Sequence, residues 1–371
     1  RLEMPSSRGA LRRFWLNVHL WLGVALAILT VPIAISGALL VYHDELDTLL
    51  HPARYAVTGS QISQPTSAYL DAARKALGNG ASPTFIRFDE GAPVVVSARG
   101  RSAEGTPRRL NVYLDPPTAN VLEVEDFRAS MFGFLHIFHE NLTIPDYSGR
   151  AIVGWIGVAM LISSLSGIYL WWPRNGAFRI GLRWRRSDST NANLHHLLGF
   201  WISIPLAVVS FTGIYLGFPQ QGRDLLSTVA PVTPRAGFGA PARQTALNPD
   251  QALAHALAQT PDAKPATLFL ATGKQGEAPV WRIQVRDSQG GTKTLLVDDR
   301  AGTVTPVAVQ SGDKISQWIR WIHEGSHSGP VWKLIVLLCG VLPPLFTITG
   351  IIMWLQRRQR RTTVTRLRPA E

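Results

Sequence analysis

Leu194-His195-His196-Leu197-Leu198-Gly199, followed by an apolar run to Thr212-Gly213-Ile214-Tyr215-Leu216, decides how this chain folds. Two histidines stand at the mouth of a segment long enough to cross a bilayer. The eighteen residues from His195 to Gly213 span ~27 Å at 1.5 Å per residue, close to one hydrocarbon thickness. Val18-His19-Leu20-Trp21-Leu22-Gly23, running on to Ser36-Gly37-Ala38-Leu39-Leu40, repeats the arrangement, and Gly37 again lies eighteen residues beyond the histidine. Both copies read His-x-x-x-Gly. An imidazole at membrane depth is a functional candidate by default. Two repeat-related ones at one depth imply a shared ligand.

Working outward, four apolar segments have membrane-spanning length: 14–43, 149–173, 194–218 and 330–356. None carries a charge in its middle. The net charge of +12 would suit nucleic acid, but the positions of the arginines point elsewhere. Arg8, Arg12 and Arg13 precede the first span. Arg174, Arg179, Arg183, Arg185 and Arg186 crowd the loop 174–193. Arg357, Arg358, Arg360, Arg361, Arg366 and Arg368 follow the last span. All three groups fall on one side. The positive-inside rule then puts both termini and the tail 357–371 in the cytoplasm, with membrane lipid rather than nucleic acid as the surroundings of the chain. The first span is expected to remain in the protein, because its apolar stretch is too long for a signal-peptide core. Arg1-Leu2-Glu3, ahead of Met4, are expected to be foreign to the native chain. The single cysteine, Cys339, excludes an intramolecular disulfide, a Cys-held iron–sulfur cluster and covalent Cys-x-x-Cys-His haem attachment.

The regions between spans read as two extracytoplasmic α/β domains, 44–128 and 219–313. Residues 68–77 and 250–257 have amphipathic helical patterns. Residues 84–88, 93–99, 110–114, 280–286 and 294–297 alternate as strands do, and Asp298-Asp299-Arg300-Ala301-Gly302 reads as a turn. Interfacial helices are expected at 129–148 and 314–329. Pro32 is a candidate kink in the first span. The spans carry Ser36-Gly37, Ser166-Gly167, Thr212-Gly213 and Thr349-Gly350, small residues that let helices approach closely. Together these features predict a membrane α-helical protein of four transmembrane helices and two α/β domains, internally duplicated with an offset of about 180 residues.

Histidines 19 and 195 then face one another across a pseudo-twofold axis, a suitable axial pair for haem iron. His196, about 100° round the helix, is a propionate contact or a neighbour of the ligand. At the other face, Phe138-His139-Glu140 matches Ile322-His323-Glu324, making His139 and His323 the first choice for a second pair. His136 and His327, each about one turn away, are alternatives, and His43 is a weaker one. Glu140 and Glu324 could orient imidazole N–H groups. Zn²⁺ or Cu at the second cluster is permitted by the spacing, but it would leave His19 and His195 without a role. His51 and His255 read as surface residues. Arg99, Arg101, Arg108 and Arg109 read as a solvated strand edge rather than a substrate patch.

The His-x-x-x-Gly segments at 18–23 and 194–199 form one part of a wider pattern. Gly149-Arg150-Ala151-Ile152-Val153-Gly154, Ser-Gly-Ile-Tyr-Leu-Trp-Trp-Pro-Arg at 166–174, and Leu342-Pro343-Pro344 leading to Thr349-Gly350 complete it. Together they resemble the PepSY-associated transmembrane family over nearly the whole chain. Within it, the chain is similar to ferrisiderophore reductases of the ferrioxamine type. That resemblance implies PepSY-like periplasmic domains and two haem b groups, with His19 and His195 as the cytoplasmic ligands. It implies outer ligands drawn from His136, His139, His323 and His327, and electrons delivered to a periplasmic ferric siderophore so that Fe(II) is released. A quinol or cytoplasmic electron donor and a siderophore uptake system are the implied partners. A permease for iron, haem or siderophore, and a membrane-anchored regulator whose PepSY-like domains bind a partner, are the alternative readings.

Overall fold

The computed structural model describes residues 7–366 apart from 26, 145, 174–176, 185, 234–240, 243 and 274–276. Arg1-Leu2-Glu3, Arg174, Arg185 and Arg368, and the side chains of Arg8, Arg357, Arg360, Arg361 and Arg366, lie outside the described residues. In chain order the first half contains α1 (Ser7–Ala25), α2 (Ala27–Val41), α3 (His43–Leu50), α4 (Thr66–Leu77), β1 (Ala81–Arg87), β2 (Val94–Arg101), β3 (Pro107–Leu114), β4 (Val121–Asp126), α5 (Met131–Asn141) and α6 (Asp146–Trp171). The short α7 (Phe178–Gly181) precedes α8 (Thr190–Gly217), α9 (Pro219–Ser227), α10 (Pro249–Ala258), β5 (Lys264–Thr272), β6 (Val280–Arg286), β7 (Thr292–Asp298), β8 (Val304–Val307), α11 (Ser311–Glu324) and α12 (Gly329–Arg366). The chain divides into two compact units, one of residues 1–43, 135–232 and 311–371 and one of 44–134 and 233–310.

The first unit is helical. Tyr147–Trp171, Thr190–Gly217 and Gly329–Gln356 are each long and apolar enough to cross a membrane, and α1 with α2 makes a fourth span if the pair is taken as one. Those two helices are bent from one another by 69°. The sequence reading puts a kink at Pro32, but Pro32 lies inside α2 and the break falls before it. The helix α6 packs along α8, and α2 along α12. Small residues make this approach possible: a Cβ on Gly217 would stand 2.7 Å from the Cα of Gly154, and one on Gly340 would stand 2.7 Å from the Ala34 carbonyl oxygen. The C-terminal end of α6 is capped from elsewhere in the chain. Arg12 donates to the carbonyls of Leu170 and Trp172, and Arg186 donates to that of Trp171, so cations sit at the negative end of the helix. Trp21, Trp155, Phe211, Val331 and Ile348 project outward from the spans, as lipid-facing side chains do.

The second unit is built on one antiparallel sheet of eight strands in the order β4-β3-β2-β1-β5-β6-β7-β8. The sequence predicts two separate α/β domains; instead their strands are joined where Phe85, Ile86 and Arg87 pair with Phe269, Leu268 and Thr267. Each half alone would be a four-stranded meander with β1 or β5 as a bare edge. Pairing the two edges over these three residues covers part of each and joins the two meanders into one sheet. Alternate residues of the strands (Ile86, Val94, Val96, Leu268, Ile283 and Val285 among them) form one core with Tyr69 and Leu70 of α4 and Ala252 and Ala256 of α10. The strands β4, β5 and β8, not recognised in the sequence, complete the sheet.

Two aspartates at matching turns hold the entry to each half's helix. Asp115 accepts from the Thr58 backbone N–H and from the hydroxyls of Thr58 and Thr118. Asp299 accepts from Trp281 Nε1 and from the N–H groups of Ala246 and Leu247, which assigns the Asp298-Asp299 pair to structure rather than catalysis. Among the described residues, a buried ion cluster is found only in the first half. Arg54, 2% exposed, is bonded to both carboxylate oxygens of Asp47 and to Glu123 and Glu125. Burial and the Asp47 carboxylate raise the Tyr55 phenol well above its usual range, and burial with Glu125 does the same to Tyr113.

Candidate functional site

Four histidines meet in two pairs inside the helical unit. His19 on α1 faces His195 on α8 with ring centres 6.4 Å apart and planes at 88°. His139 on α5 faces His323 on α11 with ring centres 6.2 Å apart and planes at 43°. A metal–imidazole bond of about 2.0 Å on each side, plus about 1.1 Å from Nε2 to the ring centre, separates two axial rings by about 6.2 Å. A direct N–H···N bond would bring the centres to about 5 Å. Both separations therefore match a pair of imidazoles with one metal atom between them.

The other ring nitrogen of each histidine is engaged by a neighbouring span. Nδ1 of His19 lies 3.0 Å from the Ser163 carbonyl oxygen and 3.1 Å from Ser166 Oγ on α6. Nδ1 of His195 lies 2.9 Å from Thr349 Oγ1 on α12. Nδ1 of His139 lies 3.0 Å from the Ile33 carbonyl oxygen and 3.2 Å from Ser36 Oγ on α2. Nδ1 of His323 lies 3.0 Å from the Val209 carbonyl oxygen and 3.3 Å from Thr212 Oγ1 on α8. The glycine after each hydroxyl residue lies against the same ring. A Cβ built on Gly37, Gly167, Gly213 or Gly350 would approach the imidazole Cε1 of His139, His19, His323 or His195 to 2.7, 3.3, 2.9 or 3.6 Å respectively.

Around His19 and His195 is a cavity of about 430 Å³, bounded also by His196, Phe200, Ser203, Phe346 and Arg358. That is within the ordinary range for a bound small molecule or cofactor. The neighbouring histidines do not join the pairs. His196 follows His195 directly on α8 and projects about 100° round the helix from it, so its ring, although 6.3 Å from that of His195, belongs to another face. His136 is half exposed, with Nε2 3.9 Å from Glu140. His327 stacks on Trp321 at 4.5 Å, and His43 Nδ1 is bonded to the Leu40 carbonyl.

The acids beside the second pair have other partners, Glu140 with Arg150 and Glu324 with Arg320. Backbone oxygens and hydroxyls, rather than those two carboxylates, meet the Nδ1 atoms of the paired histidines. Among the described residues no group of three or more His, Cys, Asp and Glu converges. His51 is bonded to Asp47 in the sheet unit, whereas His255 is exposed as expected. Of the four arginines read as a solvated strand edge, Arg108 pairs with Asp126 and Arg109 covers Phe127; both are exposed, on the stretch of β3 that precedes its register with β4.

Residues 16–357 match the family model of the PepSY-associated TM region. The chain belongs to the PepSY-associated transmembrane family. No curated protein matches it. In this family member the residues that sequence reasoning missed are Ser36, Ser166, Thr212 and Thr349, which read as helix-packing positions. The available signal was the recurrence of a Ser/Thr-Gly pair deep in each span, at Ser36, Ser166, Thr212 and Thr349.

Proposed function

We propose that this membrane protein is a di-haem b oxidoreductase that passes electrons across the bacterial inner membrane and reduces Fe(III)-siderophore on the periplasmic side, releasing Fe(II). Its carrying observation is the pair of histidine separations, 6.4 and 6.2 Å, each with room for one metal atom. His19 and His195 would hold one haem and His139 and His323 the other. Bound there, haem b supplies reversible one-electron iron chemistry.

The chain's own residues do the rest. The spans engage each Nδ1 and leave Nε2 for the iron, and their apolar walls exclude water. Seventeen residues of α8 separate His195 from Thr212, about 25 Å of helix, so the two pairs sit in different layers of the bundle. The arginine-rich side, with both termini, is assigned to the cytoplasm, where a soluble reductase or a quinol would deliver electrons. The matching halves of the sheet and the paired histidines support an internal duplication of the unit span, α/β half, span.

The test is electron transfer in sealed vesicles containing the full chain, with reductant inside and ferrioxamine plus an Fe(II) chelator outside. Wild type should generate external Fe(II), and His19→Ala or His323→Ala should abolish it. Uptake of ferric complex without reduction would favour the permease reading and overturn this one.

A further inference from the structure

The Ser/Thr-Gly pairs at Ser36, Ser166, Thr212 and Thr349 recur in the spans, and close helix packing alone does not account for them. Three of the hydroxyl residues, Ser36, Ser166 and Thr212, are buried, so each hydroxyl needs bonding partners within the protein. Each of the four donates its single hydrogen to its own helix: Ser36 to the Ile33 carbonyl, Ser166 to Ser163, Thr212 to Val208 and Val209, and Thr349 to Phe346. With that hydrogen committed, the oxygen can only accept from the imidazole beside it. The carbonyls of Ser163, Ile33 and Val209, which share the same Nδ1 atoms, can likewise only accept. The carbonyl contacts put the proton of His19, His139 and His323 on Nδ1 and leave Nε2 its lone pair; for His195 the same tautomer is assigned from the bond of the Thr349 hydroxyl to the Phe346 carbonyl.

We infer that the four Ser/Thr-Gly pairs are imidazole seats, in which the hydroxyl fixes the Nδ1–H tautomer and the glycine clears the ring edge, so that each ring presents Nε2 as a metal ligand. This rests on the di-haem reading and identifies Ser36, Ser166, Thr212 and Thr349 as positioning residues. An Nδ1–H donated to an oxygen also makes Nε2 more basic, which ties the seat to ligand strength. The seats are unequal in one respect. His19, His139 and His323 each have a backbone carbonyl as a second Nδ1 acceptor, whereas among the described contacts His195 has Thr349 alone. Removing the Thr349 hydroxyl leaves that Nδ1–H without an acceptor, whereas removing the Ser166 hydroxyl leaves His19 its carbonyl.

The experiment is a spectroscopic redox titration of the full chain in lipid nanodiscs, comparing wild type with Thr349→Val, Thr349→Ser and Ser166→Ala. Thr349→Val should shift the midpoint potential of one haem and loosen its retention roughly 10–100-fold while the second haem titrates as before. Thr349→Ser should restore wild-type behaviour, and Ser166→Ala should give a smaller shift. A Thr349→Val protein that titrates and retains haem as wild type overturns the inference while leaving the di-haem reading intact. If wild type contains no haem, the di-haem reading fails, and ¹⁵N-histidine NMR of the same proteins decides the seats separately. One ring moving from Nδ1–H to a tautomer mixture in Thr349→Val supports them, and identical spectra overturn them.

Discussion

The layer of His139 and His323 and the layer of His19 and His195 do the same thing with different parts. In the first, the histidines come from the short helices α5 and α11, and both rings touch a hydroxyl and a carbonyl of a span. In the second, the histidines belong to the long helices α1 and α8 themselves, and His195 has a hydroxyl alone among the described contacts. The fit differs too. An added Cβ at Gly37 or Gly213 would press on the ring at 2.7 or 2.9 Å, against 3.3 and 3.6 Å at Gly167 and Gly350, where the cavity of about 430 Å³ also lies. The source of the imidazole is thus interchangeable, and what recurs is the Ser/Thr-Gly step on the receiving span. One layer is closely fitted and the other has slack.

The largest expected effect breaks a layer outright. His139→Ala or His323→Ala should remove one of two haems and leave the His19–His195 haem's spectrum unchanged, and His19→Ala or His195→Ala should do the converse. Haem per chain after purification measures this. The next sharpens the difference in fit: Gly37→Ala and Gly213→Ala should deplete haem in the tight layer, whereas Gly350→Ala should retain both. Equal loss at all these positions would mean that the clearances do not control occupancy.

Outside both layers, Arg54→Met strands the buried carboxylates of Asp47 and Glu125. It should destabilise the sheet unit by about 3–5 kcal/mol in urea unfolding, with haem content unchanged. The smallest effect is a pH slope. Burial alone would raise the Asp115 carboxyl, but its bonds from Thr118 and Thr58 outweigh that and hold it below the usual value. A carboxyl lowered on folding contributes stability that is complete above its unfolded value and is lost as pH falls through the folded one. Melting temperature should therefore decline on acidification in wild type and less steeply in Asp115→Asn.

Much of this was legible in the sequence, for identifiable reasons. The spans show as uncharged apolar runs, and the four ligand candidates emerge because His19 matches His195 and His139 matches His323 in the repeat. The β1–β5 junction gave no such sign, since Phe85 and Phe269 belong to different halves and pair through backbone edges that any sequence possesses. The strand β4 gave no apolar alternation because it carries Glu123 and Glu125, whose partner Arg54 lies far away in the chain. The glycines were recognised as sites of close approach, but the approaching group was taken for another helix. An imidazole partner on a different helix could not be inferred from spacing along one.

The most direct test of the central claim is a pyridine haemochrome count with electron paramagnetic resonance on the oxidised full chain purified in detergent. Two haem b per chain, both low-spin with two nitrogen axial ligands, is the expected result. A protein that stays colourless after reconstitution with haem, or that binds haem in unchanged amount when His19 and His139 are both replaced by alanine, would contradict it.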